Sequence, residues 1–431
     1  MCLRTSHDDA HAPLPVGPTT VQDGPCGLSA DSQRLAERVQ SAYYLIRPHV
    51  RATALESAAW LAQEATGCQP FGVTLTGSHG NSSHSSCSSA TSSPSRTNRS
   101  ATLACISGVL DDSEVPPGSD EKACSASPSP SWAQHPAKCS PDARAKTEVW
   151  LKLENEQVTG SCKARGAIHK ILRMGEEQAR KGVALASSGN HALAFLYALR
   201  QLQVDAPADI FLPINVSPAK KDRLLAQGAR IHHHGTDIMY TEMNARQVAE
   251  ANGGHYISPY NDIDIVAGNG TVGFEIVQQL SRKPDFVFVP VGGGGLISGM
   301  AAVIKALSPT TRVIGCQPSV SDCMNQSVQA GEIVKIPDRY SLSDATVGGI
   351  EPGSITLQYC MELVDEFCCV EEEEIAWAML QMLSRQSKLV EPAAALTIAA
   401  FLRMKERVVG KCSVLLMCGG NVSMEALKSI V

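Results

Sequence analysis

Apolar residues recur along this chain at two spacings. Leu35, Val39, Ala42, Tyr43 and Ile46 fall on one helical face, which predicts a helix from Asp31, capped by Asp31 or Ser32 and stopped by Pro48. A second helix is predicted over residues 58–65, ending at Gly67. Beyond Lys146 the spacing switches repeatedly. Short continuous apolar runs read as strands: Val149-Trp150-Leu151, Val183-Ala184-Leu185-Ala186, residues 209–212, Phe286-Val287-Phe288-Val289 and Val414-Leu415-Leu416-Met417. Amphipathic stretches at 192–202, 219–227, 239–251, 272–280 and 298–307 read as helices. This alternation argues an α/β fold of open, twisted, mainly parallel sheets flanked by helices on both faces.

Two stretches carry no such period. Residues 1–30 are rich in Pro, Gly, Thr and Asp and are expected to form a disordered N-terminal tail. Residues 69–145 hold dense serine, including Ser82, Ser83, Ser85, Ser86, Ser88 and Ser89, and many prolines. Such sequence buries too little apolar surface to offset its ordering entropy, so it is read as a low-complexity insertion. Its length is tolerable, because closure entropy grows slowly with loop length.

Composition narrows the options. A chain of 431 residues has room for two domains and a sizeable core. Net charge of −6 and a pI near 6.1 give no basis for a nucleic acid or an anionic membrane as partner. No apolar run reaches the length of a membrane span. Met1-Cys2-Leu3-Arg4 leads into His7, Asp8 and Asp9 without a hydrophobic region, so a cytoplasmic location is expected. The fifteen cysteines are scattered, form no CxxC pair and are expected to stay reduced there. No ligand spacing supports a metal site. His232-His233-His234 is read as a solvated turn, since consecutive side chains do not converge on one ion.

Candidate chemistry sits at four glycine-containing junctions. In the first, Ser161-Cys162-Lys163-Ala164-Arg165-Gly166-Ala167 opens a helical pattern after the turn signal Val158-Thr159-Gly160. A lysine at the start of a partly apolar helix is unusually placed, and an amine there is a nucleophile able to condense with an aldehyde. The second junction is Ser187-Ser188-Gly189-Asn190-His191, whose backbone donors at a helix start suit a carboxylate. The third is Gly292-Gly293-Gly294-Gly295, where successive N–H groups can converge on one anion and the helix beginning near Leu296 adds its dipole. It is a poor match to a dinucleotide loop. Cys418-Gly419-Gly420-Asn421 is the fourth.

In this order the four junctions resemble the pyridoxal-phosphate enzymes of the tryptophan synthase β-like fold. The resemblance is to the branch holding serine and threonine dehydratases and serine racemase. It covers residues 36–67 and 146–431, and residues 51–57 stand where that family has an extended segment. It implies a two-domain molecule with the cofactor in the cleft between domains. The large domain would be residues 31–68, 146–181 and 260–431, and the small one residues 182–259.

The resemblance also implies roles. Pyridoxal 5'-phosphate would form a Schiff base with Lys163, which then moves the α-proton and assists departure of the β-hydroxyl. Asn190 would bond the cofactor's ring oxygen, and Gly292, Gly293, Gly294 and Gly295 would hold its phosphate. Cys418 would stand beside the pyridine nitrogen, where a neutral thiol makes the ring a weaker electron sink and favours β-elimination over transamination. Ser187, Ser188, Gly189 and His191 would hold the substrate. Ser188 would face the side opposite Lys163, which keeps racemisation open. Glu391-Pro392-Ala393-Ala394-Ala395 matches a segment near the cofactor with weaker functional content. Ser258-Pro259-Tyr260-Asn261-Asp262 and Ala267-Gly268-Asn269-Gly270-Thr271 match a segment read as structural.

Some positions depart from the family pattern. Cys162 replaces its usual phenylalanine, and Ala345 replaces a glycine. Gln317 and Cys323 stand where serine racemases carry the acids of a divalent-cation site, which leaves little charge for a hard cation. The reading is therefore a pyridoxal-phosphate-dependent lyase, a serine/threonine ammonia-lyase acting on a small hydroxy amino acid, expected as a homodimer. The alternatives are an amino-acid racemase on the same scaffold and a non-catalytic homologue that binds the cofactor or an amino acid.

Overall fold

The computed structural model describes residues 27–67, 140–236, 238–337 and 339–431. The tail expected at 1–30 and the insertion expected at 69–145 therefore lie outside the described residues, apart from 27–30 and 140–145.

Strands run in chain order as β1 (Leu55–Ser57), β2 (Glu148–Lys152), β3 (Val183–Ala186), β4 (Ala208–Leu212), β5 (Arg230–His233), β6 (His255–Tyr256), β7 (Phe286–Pro290), β8 (Arg312–Pro318), β9 (Glu366–Val370) and β10 (Cys412–Leu416). They form an α/β fold with two sheets. The larger has the order β1-β2-β10-β7-β8-β9, the smaller β5-β4-β3-β6. Every pairing is parallel except β1 with β2, where Leu55 faces Lys152 and Ser57 faces Trp150. The strands β3, β7 and β10 are buried along their whole length, as apolar runs covered by helices on both faces require. Phe288, Leu415 and Phe401 centre the larger core, and Phe195, Leu185 and Ile210 the smaller. Burial of each such side chain contributes about 1.5–3 kcal/mol.

One helix, Ile263–Gln279, organises the middle of the molecule. It packs against the lysine helix Lys163–Met174 and the glycine-loop helix Gly295–Leu307. The contacts are backbone-close. A Cβ on Gly268 would lie 2.8 Å from the Arg165 carbonyl, and one on Gly299 would lie 2.2 Å from that of Val266. Gly268 and Gly270 of this helix, with Gly299 of its neighbour, thus admit two helices at once.

Local differences from the sequence reading have local causes. The first helix spans Ala30–Ile46 and is capped by Ser29, not by Asp31 or Ser32. Ser29 is fixed by the Glu362 carboxylate, which accepts its N–H at 2.7 Å and its hydroxyl at 2.6 Å. The central helix starts at Ile263 rather than 272, because Asp262 Oδ1 accepts the N–H groups of Asp264 and Ile265. His232 and His233 lie in β5, not in a turn. His232 bonds Asp209 at 2.7 Å and stacks on Phe211. No helix among the described residues is long and apolar enough to cross a membrane.

Candidate active site

Three junctions lie just past the carboxyl ends of buried parallel strands. Residues 187–191 follow β3, Gly292 follows β7 and Cys418 follows β10. Open α/β sheets place ligands at such ends. The fourth brings Lys163 to the first position of its helix. Together they wall one cavity of about 830 Å³. Its lining includes Lys163, Ser187, Ser188, Gly189, Asn190, His191, Gly292, Gly293, Gly294, Gly295 and Cys418. All the site residues singled out in the sequence thus line one cavity.

Lys163 Nζ donates one long hydrogen bond, 3.3 Å, to the Pro259 carbonyl. Its helix is pinned to the loop after β10, because Cys162 N–H donates to the Cys418 carbonyl at 2.9 Å. Burial pushes the Cys162 thiol up to about 12, so it stays protonated beside the lysine.

Two loops present backbone donors with no protein partner. No acceptor among the described residues takes an N–H from Gly292, Gly293, Gly294 or Gly295. Side chains cannot fill this turn. A Cβ on Gly293 would lie 2.4 Å from the Tyr260 ring, and one on Gly295 would lie 2.7 Å from the Tyr260 backbone. Gly294 has φ +86°, which favours glycine. In the loop after β3, the N–H groups of Ser188, Asn190 and His191 are likewise unpaired, while Gly189 N–H donates to Ser187 Oγ at 3.3 Å. First-turn N–H groups of a helix have no acceptor within it, and those lining this cavity are placed to take two anions. His191 is neutral. Burial, then the charge of Lys163, pushes its imidazole down to about 3, and its Nε2 bonds the Ile257 carbonyl at 3.2 Å.

The cavity floor holds a residue the sequence undersold. Glu391 is buried, and its two oxygens accept from Asn190 Nδ2 at 3.1 and 2.9 Å. Cys418 Sγ donates to the same carboxyl at 3.5 Å. A Cβ on Gly419 would lie 2.4 Å from it. Burial holds Glu391 above the usual carboxylate range, although the Asn190 amide pulls the other way. Burial, then the Glu391 charge, holds the Cys418 thiol well above its ordinary value. Asn190 Oδ1 in turn accepts from Asn421 Nδ2 at 2.6 Å, and Asn421 Oδ1 accepts from Arg223 at 2.7 Å. The signal was present: a lone acid between Val390 and Pro392, ahead of an alanine run.

These residues fit pyridoxal phosphate. Unpaired amides at the start of a 13-residue helix suit its phosphate. A loosely held amine suits its aldehyde, and a neutral thiol suits an unprotonated ring nitrogen. Gln317 and Cys323 are engaged elsewhere. Gln317 accepts from Asn325 N–H at 2.9 Å, and Cys323 Sγ donates to the Val334 carbonyl at 3.3 Å. Ala345 lines the cavity beside Asp344, which pairs with Lys220 at 2.7 Å.

Known proteins resemble this chain in sequence and in fold. A family model described as pyridoxal-phosphate dependent enzyme matches residues 135–419. An L-threonine ammonia-lyase of Thermotoga maritima is 36% identical over 284 residues, 66% of this chain and 70% of that protein. A catabolic L-threonine dehydratase of Escherichia coli is 35% identical over 289 residues, 67% of this chain and 87% of that protein. The structure of maize serine racemase superposes with a TM-score of 0.68 at 24% identity, covering 91% of this chain and 95% of that one, a likeness of fold.

Proposed function

The chain belongs to the family of pyridoxal-phosphate dependent enzymes, and from that premise we propose that it is a serine/threonine ammonia-lyase. It removes water from a β-hydroxy amino acid and yields a 2-oxo acid and ammonia. One observation carries the reading. A loosely held lysine amine, two sets of backbone donors unpaired among the described residues and a neutral thiol line one cavity. The two relatives named for L-threonine support that substrate.

When bound, pyridoxal phosphate supplies an aldehyde for the amine and a ring that withdraws electrons from the α-carbon. The chain's own residues do the rest. The N–H groups of Gly292, Gly293, Gly294 and Gly295 hold the phosphate. Those of Ser188, Asn190 and His191, with Ser187 and Gly189 shaping the loop, hold the substrate carboxylate. Each charge-assisted bond of this kind is worth about 1.5–3 kcal/mol. Asn190, held by Glu391 and Asn421, would bond the ring oxygen. Lys163 Nζ takes the proton from the substrate's α-carbon and returns a proton to the departing hydroxyl oxygen. Cys418 keeps its proton and places no negative charge near the ring nitrogen.

Racemisation needs a second proton carrier on the face opposite Lys163. Ser188 Oγ is the candidate, yet no described side chain accepts its proton, and an unassisted hydroxyl is a poor base. Elimination needs only Lys163. A homodimer in the cytoplasm completes the reading, with the fifteen cysteines kept as thiols. The test supplies threonine and serine to the purified holoenzyme and follows both 2-oxo acid and D-enantiomer. Oxo acid in excess is expected. Excess D-enantiomer, or no turnover of either substrate, overturns the assignment.

A further inference from the structure

Behind Lys163 lies a network of four buried charged side chains. Arg165 is fully buried and grips Glu154 with two bonds, Nε to Oε2 at 2.8 Å and Nη2 to Oε1 at 2.6 Å. Its Nη1 reaches Glu275 Oε2 at 3.0 Å. Glu275 Oε1 accepts from Lys152 Nζ at 2.5 Å and from Thr53 N–H at 2.9 Å. Lys152 Nζ also donates to the Thr53 carbonyl at 2.7 Å and to Gln279 at 2.8 Å. Two cations and two anions balance. The network joins β2, the turn Glu154–Glu156, the lysine helix and the central helix.

Such a network is a weak source of stability, because desolvating four charges offsets most of their attraction. A packed apolar cluster would serve stability as well. What the charges add is direction. Residues two apart on a helix point to roughly opposite sides, so Arg165 faces into the protein while Lys163 faces the cavity. A guanidinium held in a fork by two carboxylates fixes the rotation of the helix about its axis. A second clamp, Gly166 N–H to Asn269 Oδ1 at 3.1 Å, fixes its position along the central helix. We propose that Arg165, with Glu154 and Glu275, is the positioning device that sets the direction of Lys163 Nζ. The inference rests on the assignment of Lys163 as the amine that takes the cofactor, and it deepens that assignment.

Arg165→Lys keeps the charge and loses the fork. In the holoenzyme, kcat is expected to fall about 100-fold, the scale of a misplaced reacting group, with KM within about threefold. Visible circular dichroism of the bound cofactor should weaken or shift, and the fraction of Lys163 labelled by borohydride should fall. Glu154→Gln, which retains Arg165, should move the same readouts in the same direction and serves if Arg165→Lys does not fold. Leu363→Ala, a core truncation on another helix, controls for destabilisation alone. Should both network variants fold with kcat, visible dichroism and labelling within about twofold of the parent, the proposal is overturned. The same holds if they change only as far as Leu363→Ala does. If the parent holoenzyme turns over no hydroxy amino acid, the functional assignment fails, while dichroism and labelling still decide the positioning role.

Discussion

Two buried polar clusters serve the same lysine and treat charge in opposite ways. Behind it, Lys152, Glu154, Arg165 and Glu275 pair every cation with an anion. On the cavity floor, Glu391 is bonded by an amide and a thiol, with no cation bonded to it among the described residues. The pKa directions follow. Burial pulls Glu154 upward, but the charge and hydrogen bonds of Arg165 outweigh it and hold Glu154 below its usual range. Burial lifts Glu391 and nothing of equal strength opposes it. Full pairing gives a fixed scaffold. An unpaired carboxyl gives a site whose proton can respond to what binds.

The largest effect should come from the side chain both clusters serve. Lys163→Ala removes the proton carrier and the attachment point, so kcat should fall by at least about 10³-fold with folding intact. A single-turnover assay beside far-ultraviolet circular dichroism checks it. A variant with a tenth of the parent rate would detach both clusters from function.

Next comes a direct contrast of the two acids. Glu154→Gln leaves Arg165 partly unpaired in a dry interior and should cost about 3–5 kcal/mol in denaturant unfolding. Glu391→Gln keeps the side chain's shape and leaves no buried cation unpaired, so it should cost less than about 1 kcal/mol. The pH dependences should also have opposite signs. Glu154 is depressed in the folded state, so its contribution is present above the unfolded value and lost as pH falls through the folded one. Glu391 is raised, so the folded chain holds the extra proton and loses stability as pH rises through the ordinary carboxylate range to the folded value. Glu391→Gln should remove that fall. Equal losses and parallel pH profiles for the two variants would erase the distinction.

The same pair of clusters marks what could be read from residues alone. The loop at 187–191, the four glycines and Cys418 are local motifs that follow buried strands, and Lys163 opens a helix, so each is visible in its own stretch of sequence. Glu391 is different. It matters because Asn190 and Cys418, far away in sequence, arrive beside it, and no local spacing announces that meeting. Lys152 and Glu275 are hidden for the same reason. One sits in a strand and the other in a helix, and each reads as an ordinary surface charge until the two elements pack. The predicted helix at 272–280 leaves out the first half of the central helix, where Gly268 and Gly270 fall. The missing Cβ atoms of Gly268 and Gly270 are what let two helices approach. Capping by Ser29 depends on Glu362, which no nearby residue reveals.

A smaller effect should come from crowding the floor without changing its charge. Gly419→Ala puts a methyl 2.4 Å from Glu391 Oε1, and the carboxyl must turn away from Asn190. Overpacking of this kind costs about 1–3 kcal/mol. Pyridoxal phosphate should also bind more weakly, as read from the fluorescence of titrated apoprotein. Gly166→Ala is its counterpart on the charged side, where the methyl would meet Asn269 Oδ1 at 2.6 Å. A larger loss of cofactor affinity in Gly419→Ala than in Gly166→Ala places the responsive cluster on the floor.

The smallest effect belongs to the outer end of the floor chain. Arg223 is exposed and donates to Asn421 Oδ1, which can bond water instead. Asn421 keeps its bonds to Asn190 and to the Thr159 carbonyl at 3.0 Å, so Asn190 should stay oriented without the arginine. Arg223→Ala should therefore change unfolding free energy by no more than about 0.5 kcal/mol, and cofactor affinity by less than about threefold. A loss as large as that of Gly419→Ala would mean that the floor is held from the solvent side. The two clusters would then differ in where they are anchored rather than in how they carry charge.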